Sequence, residues 1–251
     1  RPSAALPLVK EAYKTQGPQV MIFEMRMYTM EDGDMESNMA YARGVTDNMK
    51  YSWNRIQAIN RLVPDVSERY TYYFDIFKYH SNWKTMVLPD QYSAIFYERL
   101  HPLKGYLMHD TVSPAANVLL EEVTGITPIP VEQEETLREL LAYLQKNELE
   151  ALFIVSPMVV DEEFQMQCNY MGEIISSYGY RYLNFNEYYE EVGINFATDF
   201  YDGGSHVNAS GAEKCTAFLG EYISSHYVLE DKRGNETYAS WDEAYIYWQE
   251  A

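Results

Sequence analysis

Three short apolar runs, each set between segments of helical period, constrain this chain more than any other feature. Gln19-Val20-Met21-Ile22-Phe23, Leu149–Val155 and Tyr180–Phe185 read as strands; the first is a continuous apolar run, as expected of a strand buried on both faces of a parallel sheet, and the second reads as buried as well. Ala4–Lys14 precedes the first run, with Leu6, Val9 and Tyr13 at helical spacing, and Thr15-Gln16-Gly17-Pro18 stops it. Met35–Leu62 reads as one long helix ended by Pro64. Glu132–Asn147, Asp161–Tyr178 (closed by Gly179) and Ser210–His226 follow. Alternating strand and helix predicts an α/β fold with a mainly parallel sheet.

The pattern weakens between about residues 65 and 131, where Pro, Gly and short polar groups recur. This stretch reads as an irregular insertion carrying one short helix near Ser93–Leu100. The expected organisation is one α/β domain over residues 1–227 and a C-terminal surface appendage over 228–251, where charges mix with Tyr and Trp. A 47% hydrophobic content is enough for a real core. With 38 acidic against 19 basic residues the net charge is −19, which argues against nucleic acid and anionic lipid as partners. The 24 tyrosines stand out, because each has an apolar body and a polar tip suited to half-wet surfaces. No apolar run is long enough to span a membrane. The two cysteines, Cys168 and Cys215, lie in helical segments, and their spacing does not say whether they pair.

Ligands in open α/β sheets bind beyond the carboxyl ends of the strands. That rule points to Arg26–Thr29, Ser156–Met158 and the loop Asn186–Asn208. The densest chemistry is Asp199-Phe200-Tyr201-Asp202-Gly203-Gly204-Ser205-His206-Val207-Asn208. A carboxylate placed on one imidazole nitrogen fixes the tautomer and leaves the other nitrogen as a general base. The spacing alone also allows His206 to be merely a capping residue of the helix from Ser210, with the glycines making a turn. Arg26 is a candidate donor to an oxyanion or anionic substrate group, or a partner of Glu24. His80, in Lys78-Tyr79-His80-Ser81-Asn82-Trp83, is a candidate cleft residue or a packing residue. His101 and His109 have no Cys or carboxylate partner at metal-ligand spacing, and no phosphate loop or dinucleotide fingerprint is present, so no metal or cofactor is expected.

The Asp202–Asn208 block, followed by Ala209-Ser210-Gly211-Ala212-Glu213-Lys214, resembles the last signature block of SGNH (GDSL-type) hydrolases. Ala151–Pro157 through Tyr182–Phe185 is similar to that fold's closing βαβ unit. Thr46–Tyr51 and Phe74–Trp83 are similar to an exported bacterial branch related to Dlt-type D-alanyl transfer proteins. The resemblance implies a three-layer, flavodoxin-like sheet and an esterase or O-acyltransferase acting on acyl esters of a cell-envelope glycan or polymer. It also implies an extracytoplasmic site with a membrane anchor upstream and a membrane-embedded acyltransferase as partner. His206 and Asp202 would be catalytic, with Asp199 the substitute for Asp202, and Tyr70–Tyr79 would stack on sugar rings. Asp202 and His206 are four apart where the family pattern is D-x-x-H. The family's Gly-x-Ser nucleophile block is absent, so that serine and the first strand are expected upstream of Arg1. Glu24-Met25-Arg26-Met27-Tyr28 stands where the family has its Gly-x-Asn-Asp oxyanion block. The other class of function open to such a chain is a non-catalytic binding or assembly protein on the same scaffold.

Overall fold

The computed structural model of the chain describes residues 1–31, 39–74, 77, 102–116 and 123–250. It divides into two compact units, Arg1–Lys84 with Val118–Tyr188, and Thr85–Asn117 with Tyr189–Ala251. The first unit holds the sheet. Helix α1 (Pro2–Thr15) leads into β1 (Met21–Glu24), and helices α2 (Met39–Thr46) and α3 (Trp53–Leu62) follow. Helix α4 (Val131–Lys146), β2 (Ala151–Val155), α5 (Glu162–Ser177) and β3 (Arg181–Asn184) complete it. The three strands are parallel in the order β1-β2-β3, with Phe23 beside Phe153 and Phe153 beside Tyr182. The chain is therefore α/β with a three-stranded parallel sheet.

Its core follows from helical spacing. Leu137, Leu140, Leu141 and Leu144 of α4, and Cys168, Met171, Ile174 and Ile175 of α5, are buried with Phe153 and Val155 of β2 and with Leu6 and Val9 of α1. Asp161 caps α5 by accepting from the Phe164 N–H at 2.9 Å. Gly172 lets α5 approach β3 closely, since a Cβ there would lie 2.8 Å from the Tyr182 ring.

Two expectations need correction. The helix expected over 35–62 is two helices, broken at Asp47–Ser52. Side chains capture the carbonyls at the end of α2, Thr46 Oγ1 bonding to Ala42 O at 2.9 Å and Asn48 Nδ2 to Gly44 O at 2.7 Å. Ser52 then restarts the helix by accepting from the Arg55 N–H at 3.3 Å. The first strand is not buried on both faces: Met21 and Phe23 are half-buried, while Ile22 and Glu24 are exposed. It is an edge strand, pairing on one side with β2 alone among the described residues.

The second unit holds helix α6 (Ala209–His226), helix α7 (Ala239–Glu250) and the loop before α6. A ring cluster closes its interior, with Tyr189 edge-on to Phe196 and Phe196 stacked on the fully buried Phe200. Helix α7 has no buried residue among those described and carries the exposed side chains Trp241, Tyr245, Ile246 and Tyr247. His80, His101 and the short helix expected near Ser93–Leu100 lie outside the described residues.

Candidate active site

The loop before α6 is a small hairpin. Phe200 and Val207 form an antiparallel bridge, flanked by the Tyr201 N–H donating to His206 O at 3.3 Å and the Asn208 N–H donating to Asp199 O at 2.8 Å. Gly203 and Gly204 turn the chain at φ +79° and +121°, values that a residue with a Cβ adopts only under strain. The carboxylate of Asp202 spans this turn. Its Oδ1 accepts the backbone N–H of Ser205 at 2.9 Å and of His206 at 2.8 Å, while its Oδ2 lies 2.6 Å from His206 Nδ1. Two glycines and one carboxylate thus let an Asp and a His four apart meet.

Burial acts to raise the Asp202 pKa, but bonds from the His206 ring, the His206 backbone and the Ser205 backbone outweigh it and hold the carboxyl below its usual range. An ionised carboxylate can only accept, so Nδ1 of His206 is the donor, and in the neutral imidazole Nε2 carries the lone pair. The His206 side chain is 57% exposed, and Nε2 has no hydrogen-bond partner among the described residues. A neutral imidazole oriented through Nδ1 and open at Nε2 is equipped to take a proton from an incoming hydroxyl and return it. Among the described residues, no Ser, Thr or Cys side chain bonds to it.

The neighbouring carboxylate has different work. Asp199 is 1% exposed and pairs with Lys214 Nζ at 2.6 Å. It also accepts the Asn195 N–H at 2.8 Å, the Thr198 hydroxyl at 3.0 Å and the Ser210 hydroxyl at 3.2 Å. Burial pushes its pKa up, but Lys214, Asn195 and Thr198 together bring it below the usual range. The rest of the block serves the same junction. A Cβ on Gly211 would lie 2.5 Å from Asp199 O and 2.8 Å from Val207 Cβ, so only glycine lets α6 start against the hairpin. Buried Asn208 caps α6 by accepting from the Gly211 N–H at 3.1 Å, and its Nδ2 donates to Thr198 O at 2.7 Å and Thr111 O at 3.2 Å.

Sequence reasoning missed two rings. Tyr201 stacks on His206 with centroids 5.7 Å apart, and on His109 with centroids 4.1 Å apart. The segment bearing His109 is tied to the hairpin, with the Ala209 N–H bonded to His109 O at 2.7 Å and the Ser113 N–H bonded to Phe200 O at 2.8 Å. The alternation of tyrosine and aspartate in Tyr201-Asp202 was the one signal in the sequence; nothing there pointed to His109.

Arg26 belongs to the first unit, in a turn of 3₁₀ helix (Arg26–Thr29) after β1. Its backbone N–H donates to Glu24 Oε2 at 3.0 Å, while Glu24 Oε1 accepts the Ser156 N–H at 3.4 Å. Asn186 Oδ1 accepts the Met158 N–H at 3.0 Å, so the carboxyl ends of all three strands are joined. The same unit has a cavity of about 590 Å³ lined by Tyr51, Ser52, Arg55, Ile56, Tyr73 and Phe74, among others. Among the described residues no cluster of His, Cys, Asp and Glu could hold a metal ion. Cys168 and Cys215 are free thiols, and burial pushes both up to about 12. Compared with known proteins, the chain matches no family model, no curated protein and no solved structure.

Proposed function

We propose that this chain carries the acid–base half of an SGNH-type esterase or O-acyltransferase acting on acyl esters of a cell-envelope glycan or polymer. The observation that carries the reading is the Asp202–His206 pair, with Nδ1 held at 2.6 Å and Nε2 open on an exposed ring. The block around it supports the reading, since Gly211 and Lys214 each have a defined task in seating the hairpin on α6. The parallel order β1-β2-β3 fits the closing strands of a three-layer, flavodoxin-like sheet, and the other edge of β1 is where the expected first strand would pair.

In the proposed reaction a serine upstream of Arg1 attacks the acyl carbonyl carbon while its hydroxyl proton passes to His206 Nε2. Asp202 stabilises the imidazolium that forms. The ester C–O bond then breaks and His206 gives the proton to the departing alkoxide, leaving an acyl-serine. Water or a glycan hydroxyl releases the acyl group by the same steps in reverse order. The exposed rings of Tyr70, Phe74 and Phe77 pack edge to face and offer apolar faces for sugars. The proposed setting is extracytoplasmic, with an upstream anchor and a membrane-embedded acyltransferase as partner. No helix among the described residues is long and apolar enough to cross a membrane.

The decisive test is fluorophosphonate labelling and ester turnover by the complete protein and its His206→Ala variant. Labelling that depends on His206 supports the enzyme. Full activity in His206→Ala refutes the assigned role. Absence of labelling in the parent protein favours the second reading, a non-catalytic binding scaffold, which the lack of a nucleophile beside His206 among the described residues also suits.

A further inference from the structure

We propose that Tyr201 is a positioning residue for His206, holding the face of the imidazole as Asp202 holds its edge. The inference rests on the reading of His206 as an acid–base group. A single hydrogen bond at Nδ1 fixes a point on the ring and leaves it free to pivot about that bond. Bulk packing does not restrain it either, because more than half of the side chain is in solvent. Among the described residues, what lies against the ring is the Tyr201 side chain, parallel within 18° at a centroid separation of 5.7 Å.

Tyr201 is itself restrained from two directions. Its backbone N–H bonds to His206 O across the hairpin, and its ring stacks on His109 at 4.1 Å and 21°. The backbone that carries His109 is held in turn, since its carbonyl accepts the Ala209 N–H and the same segment is bonded at Thr111 and Ser113. The rings of His109, Tyr201 and His206 and the carboxylate of Asp202 therefore form one continuous assembly, anchored to the hairpin and the first turn of α6.

The stack also acts on charge. The face of an aromatic ring is negative, so a cation within about 6 Å of the centroid is stabilised. Imidazolium, the form His206 takes after accepting a proton, gains from Tyr201 as it gains from Asp202. The Tyr201 hydroxyl has no hydrogen-bond partner among the described residues, so the ring face and not the hydroxyl carries the role. Among the described residues, the titratable groups facing His206 are Asp202 and Tyr201 from the hairpin and, through Tyr201, His109 from the segment packed on it.

The experiment is NMR of the complete protein with isotope-labelled histidine, following the His206 tautomer and titration midpoint, beside ester turnover. Tyr201→Leu is expected to lower the His206 midpoint by about half a pH unit, the size of an exposed cation–ring contact. It should also cut kcat about tenfold with KM unchanged, and Tyr201→Phe should restore both. His109→Ala removes the backing ring without touching the hairpin, and should shift the midpoint the same way by less; it serves if Tyr201→Leu does not fold. An unshifted midpoint and tautomer in Tyr201→Leu, or in His109→Ala if only that variant folds, overturns the proposal. So does a Tyr201→Phe variant that behaves like Tyr201→Leu. The NMR readout needs no turnover, so a parent protein without esterase activity would fail the acyl-transfer reading while the positioning of His206 was still decided.

Discussion

The two aspartates of the hairpin, three residues apart in sequence, should respond oppositely to the same isosteric change. Asp199→Asn removes the charge from a carboxylate that is almost fully buried and leaves Lys214 Nζ without its ion partner. Breaking a buried pair from one side costs about 3–5 kcal/mol, and Lys214, with 35% of its side chain in water, regains part of its hydration. The cost therefore falls at the lower end, about 3 kcal/mol, which for a chain of this size lowers the melting temperature by about 6–12 °C. Asp202→Asn keeps an oxygen for the Ser205 and His206 backbone N–H groups at a site 30% exposed, so its stability cost is about 1 kcal/mol or less. Its chemical cost is larger. An amide presents a donor to Nδ1 as readily as an acceptor and so favours the wrong tautomer, a loss on the order of 10³–10⁴-fold in acyl transfer. Thermal unfolding by circular dichroism and the rate of fluorophosphonate labelling, measured on both variants at neutral pH, separate the two effects. An Asp202→Asn variant less stable than Asp199→Asn, or an Asp199→Asn variant that keeps its melting temperature yet loses labelling, would overturn this division of roles.

Other consequences are open to simpler measurements. Both carboxyls titrate below the ordinary value of 3.8 when folded, so their stabilisation is complete above that value and is lost as pH falls through the lower folded pKa. Acid unfolding below about pH 4 should accordingly be shallower in Asp199→Asn than in the parent when stability is followed against pH. Gly211→Ala forces a Cβ against the Asp199 carbonyl and should cost about 2 kcal/mol or more in urea denaturation, whereas Gly172→Ala meets only the Tyr182 ring and should cost less. Asn208→Ala removes the cap of α6 and two bonds to carbonyls, a loss of about 2 kcal/mol on the same assay. Cys168, buried and with its thiol pKa pushed up to about 12, should react with a thiol reagent at pH 8 only on unfolding, while half-buried Cys215, pushed as far, should react slowly; fast labelling of Cys168 in the native protein would contradict its burial.

The strand and helix order was legible in the sequence because period and punctuation are local properties. Leu137, Leu140, Leu141 and Leu144 announce a buried helix face wherever α4 packs, and Gly179 ends α5 through its own φ of +87°. The break between α2 and α3 was not legible. Thr46, Asn48 and Ser52 are tolerable inside a helix by propensity, and only their hydrogen bonds to nearby backbone groups make a stop and a restart. The exposure of Ile22 and Glu24 also escaped an argument from composition, since an apolar run does not say how many neighbours a strand has.

At the candidate site, the sequence by itself determined which groups are within reach: two aspartates, one histidine, two glycines to turn between them and a helix to follow. The tertiary structure decided what each one does. Gly211 brings α6 against Asp199, whose carboxylate takes Lys214, while the hairpin register turns Asp202 onto His206 and lays Tyr201 and His109 alongside. Spacing limits which side chains can meet, but burial and register choose among them. A carboxylate sealed from water is held by a cation and by fixed N–H and hydroxyl donors, and one left at the surface remains available to an imidazole.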